Sequence, residues 1–276
     1  STAGAVQAEE APKGKQGAGA DAKRTDAPKL KQLIDEGAHA KVYRAQDPRV
    51  GTCAAKVVAR RKLSRKELKW LQDEIEIHQR LRHPHIVRLH HVVRGPDSVT
   101  LVMSLCTGGS LRHMMDRVLA SGKQLSEARC RHYLRQVVGA VHYCHRNGVV
   151  HRDIKLDNIC FADDRMAAVQ LLDFGYAATT NELKGFVGSA HFAAPEVHAS
   201  KKRPAMTYAG TPTDVWSVGV VLFAMLATSL PFSGADESPQ LQRKVAGGRW
   251  DVTPQRSPAA LDLLRGMLRV SPKERF

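Results

Sequence analysis

The sequence predicts a two-lobed α+β fold: a small antiparallel sheet carrying one main helix, then a mostly helical lobe. Three observations lead there. The first third holds short β-patterned runs and the remainder holds apolar residues at helical spacing, a segregated order typical of α+β chains. The chain has 276 residues, enough for one large domain or two modest ones. Hydrophobic residues make up 43% and charged residues 25%, ordinary values for a chain with a sizeable core.

Residues 1–30 are rich in Ala, Gly, Lys, Gln and Pro and poor in branched or aromatic residues. Such a segment cannot bury enough apolar area to offset its ordering entropy, so it is expected to be a disordered tail. The small lobe then spans 31–104 and the helical lobe 105–276. Val42–Ala45 and Cys53–Ala59 are expected strands, joined by a turn at Asp47-Pro48 and Gly51. Ser64 with Glu67 three residues on is a capping box, and Leu68, Leu71, Ile75 and Leu81 continue from it at helical spacing. Pro84 stops that helix. Val87–Val93 and Val99–Met103 are further expected strands. Helical patterns follow from Leu111, with segments at Glu127–His145, Thr213–Ala227 and Ala259–Val270.

Composition excludes several classes. The apolar run Val218–Leu230 is too short and interrupted to span a bilayer, so no membrane is expected. The chain shows no signal-peptide pattern. Its five cysteines are scattered and odd in number, with no Cys-x-x-Cys pair, which points to reduced thiols and a cytoplasmic or nuclear location. The net charge of +15 permits anionic partners, but aromatics are only 5% and no nucleic-acid motif occurs, so nucleic acid is not an expected partner. His142 and His145 share a helix face as zinc ligands do; without a second ligand pair elsewhere, packing is the expected role.

The chemistry is concentrated in His151-Arg152-Asp153-Ile154-Lys155-Leu156-Asp157-Asn158, followed by Asp173-Phe174-Gly175 and Ala194-Pro195-Glu196, with Cys53-Ala54-Ala55-Lys56 upstream. In this order and spacing the set resembles the eukaryotic protein kinase family from about Leu33 to Phe276. The resemblance implies ATP and Mg2+ as the nucleotide and ion, and protein substrates with serine or threonine acceptors. Lys56 would reach the ATP phosphates, anchored by Glu74; Glu76 is the nearby competitor on another helix face. Asn158 and Asp173 would supply hard oxygen ligands to magnesium. Asp153 would accept the substrate hydroxyl proton, and Lys155 would neutralise the transferred phosphoryl group, as in serine/threonine kinases. Val42, Ala54 and Cys160 would sandwich adenine, Met103 would stand behind it, and Ser104 to Cys106 would form the linker beside it. Asp214 would bond the catalytic-loop backbone, and Glu196 would pair with Arg275. Within the family, His78, Arg82-His83-Pro84, the run through Tyr176 and Val187-Gly188-Ser189 are similar to the plant and green-algal sucrose-non-fermenting-related kinases of stress and nutrient signalling.

The glycine-rich loop departs from that pattern. With Val42 on the motif's valine, Asp35, Gly37 and Ala40 occupy the three glycine positions, and only Gly37 is a glycine. An aspartate there repels phosphate, so weak ATP affinity is expected. The alternative reading is a pseudokinase or scaffold. Substrate selection departs too: Ser104 and Ser110 stand where related kinases carry acidic residues that read an upstream Arg, with Asp116, Asp236 and Glu237 as partial compensation. The places of the usual activating phosphate, Gly185 and Phe186, lack a hydroxyl, and Ser189 resembles the residue that bonds Asp153 and Lys155. Ordering of that segment then falls to Thr179 or Thr180, to a regulatory partner, or to a regulatory region beyond residue 276, where the family continues its last helix. The catalytic unit is expected to be a monomer.

Overall fold

The computed structural model describes residues 27–37 and 40–276. The expected tail lies outside the described residues as far as residue 26, as do Ala38 and His39, which fall in the stretch matched to the glycine-rich motif. Five antiparallel strands make the first sheet: β1 (Lys29–Glu36), β2 (Ala40–Asp47), β3 (Gly51–Ala59), β4 (Leu89–Arg94) and β5 (Ser98–Met103), in the order β1-β2-β3-β5-β4. The sheet therefore starts at Lys29, two residues inside the segment assigned to the tail, because Lys29 and Leu30 pair with Gln46 and Ala45. The turn between β2 and β3 forms as its residues dictate: the Asp47 carboxylate accepts the amides of Arg49 and Val50 at 2.9 and 3.2 Å.

Helix α1 (Arg65–Arg80) begins at the Ser64–Glu67 capping box, with both reciprocal bonds present, and ends before Pro84. Its buried face carries Leu71, Ile75 and Ile77 together with Glu74 and His78. The expected strand at Val87 starts later, at Leu89. Val87 instead donates its amide to Leu171 of the helical lobe at 3.0 Å, and Ile86 bridges to the same residue, so this stretch ties the lobes together.

The second lobe is built from α2 (Leu111–Ala120), α3 (Glu127–Arg146), α4 (Pro195–Lys202), α5 (Gly210–Ala227), α6 (Pro239–Gly247) and α7 (Pro258–Met267). Two small antiparallel pairs join them, β6 (Ile159–Phe161) with β7 (Val169–Leu171), and β8 (Glu182–Lys184) with β9 (Thr207–Ala209). Helix α5 is apolar on every side and is buried along most of its length, including Trp216, Val220, Val221, Phe223 and Met225. It is long and apolar enough to cross a membrane, yet it forms the centre of this lobe's core. Each large side chain so buried contributes roughly 1.5–3 kcal/mol. Helix α7 ends at Met267, short of the expected Val270, where the Leu268 amide closes the final turn on Leu264.

Candidate active site

Lys56 lies on β3, paired with Val42 of β2 on one side and Leu101 of β5 on the other. Its ammonium lies 2.6 Å from Glu74 Oε1 and 3.0 Å from Asp173 Oδ1. Glu76 is exposed and accepts a bond from Gln72, so helix geometry selects Glu74. Burial alone would push the Lys56 pKa down, but Glu74 and Asp173 outweigh it and the ammonium is held firmly charged. Burial likewise works to raise Asp173, but Lys56 outweighs it and the carboxyl is lowered to about 2.

A second cluster surrounds Asp153. Ser189 donates its hydroxyl to Asp153 Oδ1 at 2.8 Å and accepts from Lys155 Nζ at 2.9 Å. Lys155 lies 3.0 Å from Asp153 Oδ2. The Asn158 amide nitrogen donates to the Asp153 carbonyl at 2.8 Å and to Oδ2 at 3.0 Å. That spends the Asn158 nitrogen and leaves its oxygen for a cation. Asp173 Oδ1 is likewise taken by Lys56 and by the Gly175 amide. The oxygens left over, one amide and one carboxylate, are the hard donors that suit magnesium, which completes its shell with water and substrate phosphate.

Rigid partners hold both clusters. Asp214 of α5 accepts the amides of His151 and Arg152 at 2.8 and 2.9 Å and bonds the His145 ring at 2.8 Å. This fixes the catalytic loop while Arg152 holds a left-handed backbone, φ 72°. His145 is thereby committed to Asp214, and His142 is exposed on the helix surface. The Phe174 ring sits between His78 of α1 at 4.9 Å and His151 at 5.0 Å, a stack that couples α1 to both loops. The sequence named all three residues without signalling that they touch. Gly188 runs so close to the loop that a Cβ would sit 2.4 Å from the Arg152 carbonyl, and its φ is +89°.

Glu196 and Arg275 form the expected pair, bidentate at 2.6 and 2.8 Å. Arg275 also donates to the carbonyls of Arg269, Pro212 and Val270, so all five of its N–H groups are used. Its guanidinium lies over the Trp216 ring.

The remaining expected nucleotide residues lie at the end of β1, on β2 and β3, at the end of β5 and just after it, and on β6. Ala54 pairs with Met103 across β3 and β5. Gly37 donates its amide to the Ala40 carbonyl at 2.8 Å, closing the turn after β1, and Asp35 lies opposite Val42. Ser104 follows β5 and its hydroxyl bonds His90. Cys106 donates to Gln170 Oε1 at 3.3 Å, and Gln170 is the β7 partner of Cys160, so both thiols border one floor. Burial pushes the Cys106 thiol up to about 11 and the Cys160 thiol up to about 12.

A cleft of about 390 Å³ adjoins Lys155 and Ser189, lined also by Arg112, Asp157, Phe186, Asp236 and Glu237. Its acids already have basic partners: Asp157 with Arg112 at 3.7 Å, Asp236 with His191 at 2.8 Å, Glu237 with Lys201 at 2.5 Å. Ser110 is buried and its hydroxyl caps α2, so this position presents no acid to the cleft.

Comparison with known proteins gives the same picture. A family profile described as protein kinase domain matches residues 29–276. The chain is 35% identical over 255 residues to NUAK family SNF1-like kinase 1 of Homo sapiens, covering 89% of this chain and 36% of that protein. It is 36% identical over 258 residues to Sucrose non-fermenting protein kinase 1 of Fusarium virguliforme, covering 91% and 35%. It is 37% identical over 253 residues to Serine/threonine protein kinase OSK3 of Oryza sativa subsp. japonica, covering 90% and 47%. The chain thus spans between a third and a half of these relatives' length.

Proposed function

The chain belongs to the protein kinase domain family, and from that premise we propose that it transfers the γ-phosphate of Mg-ATP to serine or threonine hydroxyls of proteins. One observation carries this reading: the Asp153–Ser189–Lys155 triangle stands complete beside the Lys56–Asp173 pair. Lys56, anchored by Glu74, orients the nucleotide phosphates. Asn158 and Asp173 would hold magnesium, which when bound neutralises phosphate charge. Asp153 accepts the proton of the attacking hydroxyl and aligns it, and Lys155 faces the charge that develops on the transferred group. Positioning and electrostatics suffice because phosphoryl transfer asks little covalent chemistry of the protein.

The substrate is a protein segment seated in the cleft beside Ser189. Because the acids of that cleft are already paired, preference for arginine upstream of the target is weak. The names of the relatives support a role in stress or nutrient signalling. The scattered free thiols support a cytoplasmic or nuclear setting.

The deciding experiment measures radiolabelled phosphate transfer from ATP to a generic basic protein by wild type and Asp153→Asn. Transfer by the wild type that the variant loses supports the proposal. Equal transfer by both, or none by either, refutes it.

A further inference from the structure

The segment between Asp173 and Glu196 is fastened at several points by the protein itself. Five of the α-helices take a side-chain cap from a preceding serine: Ser64, Ser110, Ser126, Ser238 and Ser257. The core helix α5 is preceded by Ala209, which has no capping group. Its first amides are satisfied instead from the segment. Asn181 Oδ1 accepts from Gly210 and Thr211 at 2.9 and 2.8 Å, and the Asn181 carbonyl accepts from Gly210 at 2.8 Å. The next three residues form β8, paired with β9 through Glu182–Ala209, Leu183–Tyr208 and Lys184–Thr207.

The fastening continues toward the substrate cleft. Tyr208 donates its hydroxyl to the Gly185 carbonyl at 2.8 Å, and Gly185 holds φ +70°. The Phe186 ring packs on the buried His198 ring of α4 at 5.4 Å, and the Lys201 ammonium lies 5.6 Å over its face. Lys201 is itself tied to Glu237, and His198 donates to the Ala190 carbonyl at 2.9 Å, so both sides of Phe186 are anchored. Phe186 lines the cleft next to Ser189. Arg152, beside the catalytic Asp153, directs its guanidinium at the Tyr176 carbonyl, 3.4 Å away.

In switchable kinases a phosphate orders this segment by pairing with arginine. Here a helix cap, a strand pair and an aromatic packed between two residues of α4 do that work. We propose that Asn181, Tyr208 and Phe186 are positioning residues that hold the segment in its substrate-accepting shape, so that acceptor binding needs no phosphate on it. The inference rests on the kinase reading but concerns only how the acceptor platform is held.

The test uses the full chain, stripped of phosphate by a protein phosphatase and checked by mass spectrometry. The peptide kcat/KM should stay within about twofold of the untreated protein, whereas a loss beyond about tenfold overturns the proposal. Asn181→Ala and Phe186→Ala should raise the peptide KM about tenfold and leave the ATP KM unchanged, and Phe186→Tyr should restore it. Equal damage to both KM values, or no rescue by tyrosine, overturns the positioning role. Trypsin cleavage after the exposed Lys184 gives a readout independent of activity. Protection in phosphate-free wild type and cleavage in Asn181→Ala supports the fastening even if no phosphate transfer is seen, in which case the kinase reading alone fails. Cleavage at equal rates overturns the fastening even in an active enzyme.

Discussion

Acidification should destabilise this fold through one side chain, His78. It lies one turn beyond Glu74 on α1, is 1% exposed, and bonds the Val87 carbonyl at 2.7 Å through Nε2. Burial chiefly, with Lys56 and Arg82 assisting, lowers its pKa from 6.5 to about 4 against the pull of the Val87 carbonyl. Between those two values the unfolded chain holds a proton that the folded chain does not. Stability therefore falls as pH falls through this window; the contribution is whole above pH 6.5 and exhausted below about pH 4. The gap corresponds to roughly 3 kcal/mol in full and to about 2 kcal/mol at pH 5. Urea unfolding at pH 7 and pH 5, for wild type and His78→Met, isolates the effect, because every other titrating group is common to both. Wild type should lose about 2 kcal/mol more than the variant between these pH values. An identical pH dependence in the two proteins would refute the assignment of a buried neutral imidazole. Protonation would also push against Phe174, so the ATP KM should rise over the same window in wild type only.

Other expectations follow from the site. Asp153→Asn should lower kcat by about 10²–10⁴-fold with the ATP KM nearly unchanged, because that carboxylate serves the hydroxyl and not the nucleotide; steady-state kinetics in both substrates checks it. Asp35→Gly should lower the ATP KM roughly fivefold by removing about 1 kcal/mol of repulsion, and an unchanged KM would mean the carboxylate sits away from the phosphates. Arg275→Ala should cost roughly 3–5 kcal/mol in urea unfolding by leaving Glu196 buried without its partner, whereas Arg275→Lys should recover only part of it because the fork is lost.

Local rules read from the sequence hold where one interaction dominates. Ser64 and Glu67 placed the start of α1 to the residue, and the Asp47 turn formed as its carboxylate required. The candidate site residues around Asp153 recur at a readable spacing because they lie on one loop whose backbone Asp214 clamps. Elements that depend on distant partners were not legible. The three-residue strands β6 to β9 exist only because another strand or helix faces them, and the start of α5 at Gly210 depends on Asn181, twenty-nine residues earlier. Glu74 and Glu76 could be separated in sequence only by resemblance, and the helix settles it by burying one and exposing the other. The role of Ser110 as the cap of α2 follows from its hydroxyl accepting the His113 amide, which the sequence pattern alone did not single out.

Cys106 and Cys160, the two thiols beside Gln170, differ in reactivity from an exposed cysteine. Burial raises both thiols well above their ordinary value, so at pH 7 Cys106 and Cys160 stay overwhelmingly protonated. Electrophiles and peroxides attack the thiolate, so these two sulfurs are slow to alkylate and slow to oxidise. A cysteine-directed reagent should accordingly modify Cys106 and Cys160 slowly, a rate that intact-mass spectrometry of the treated protein would read.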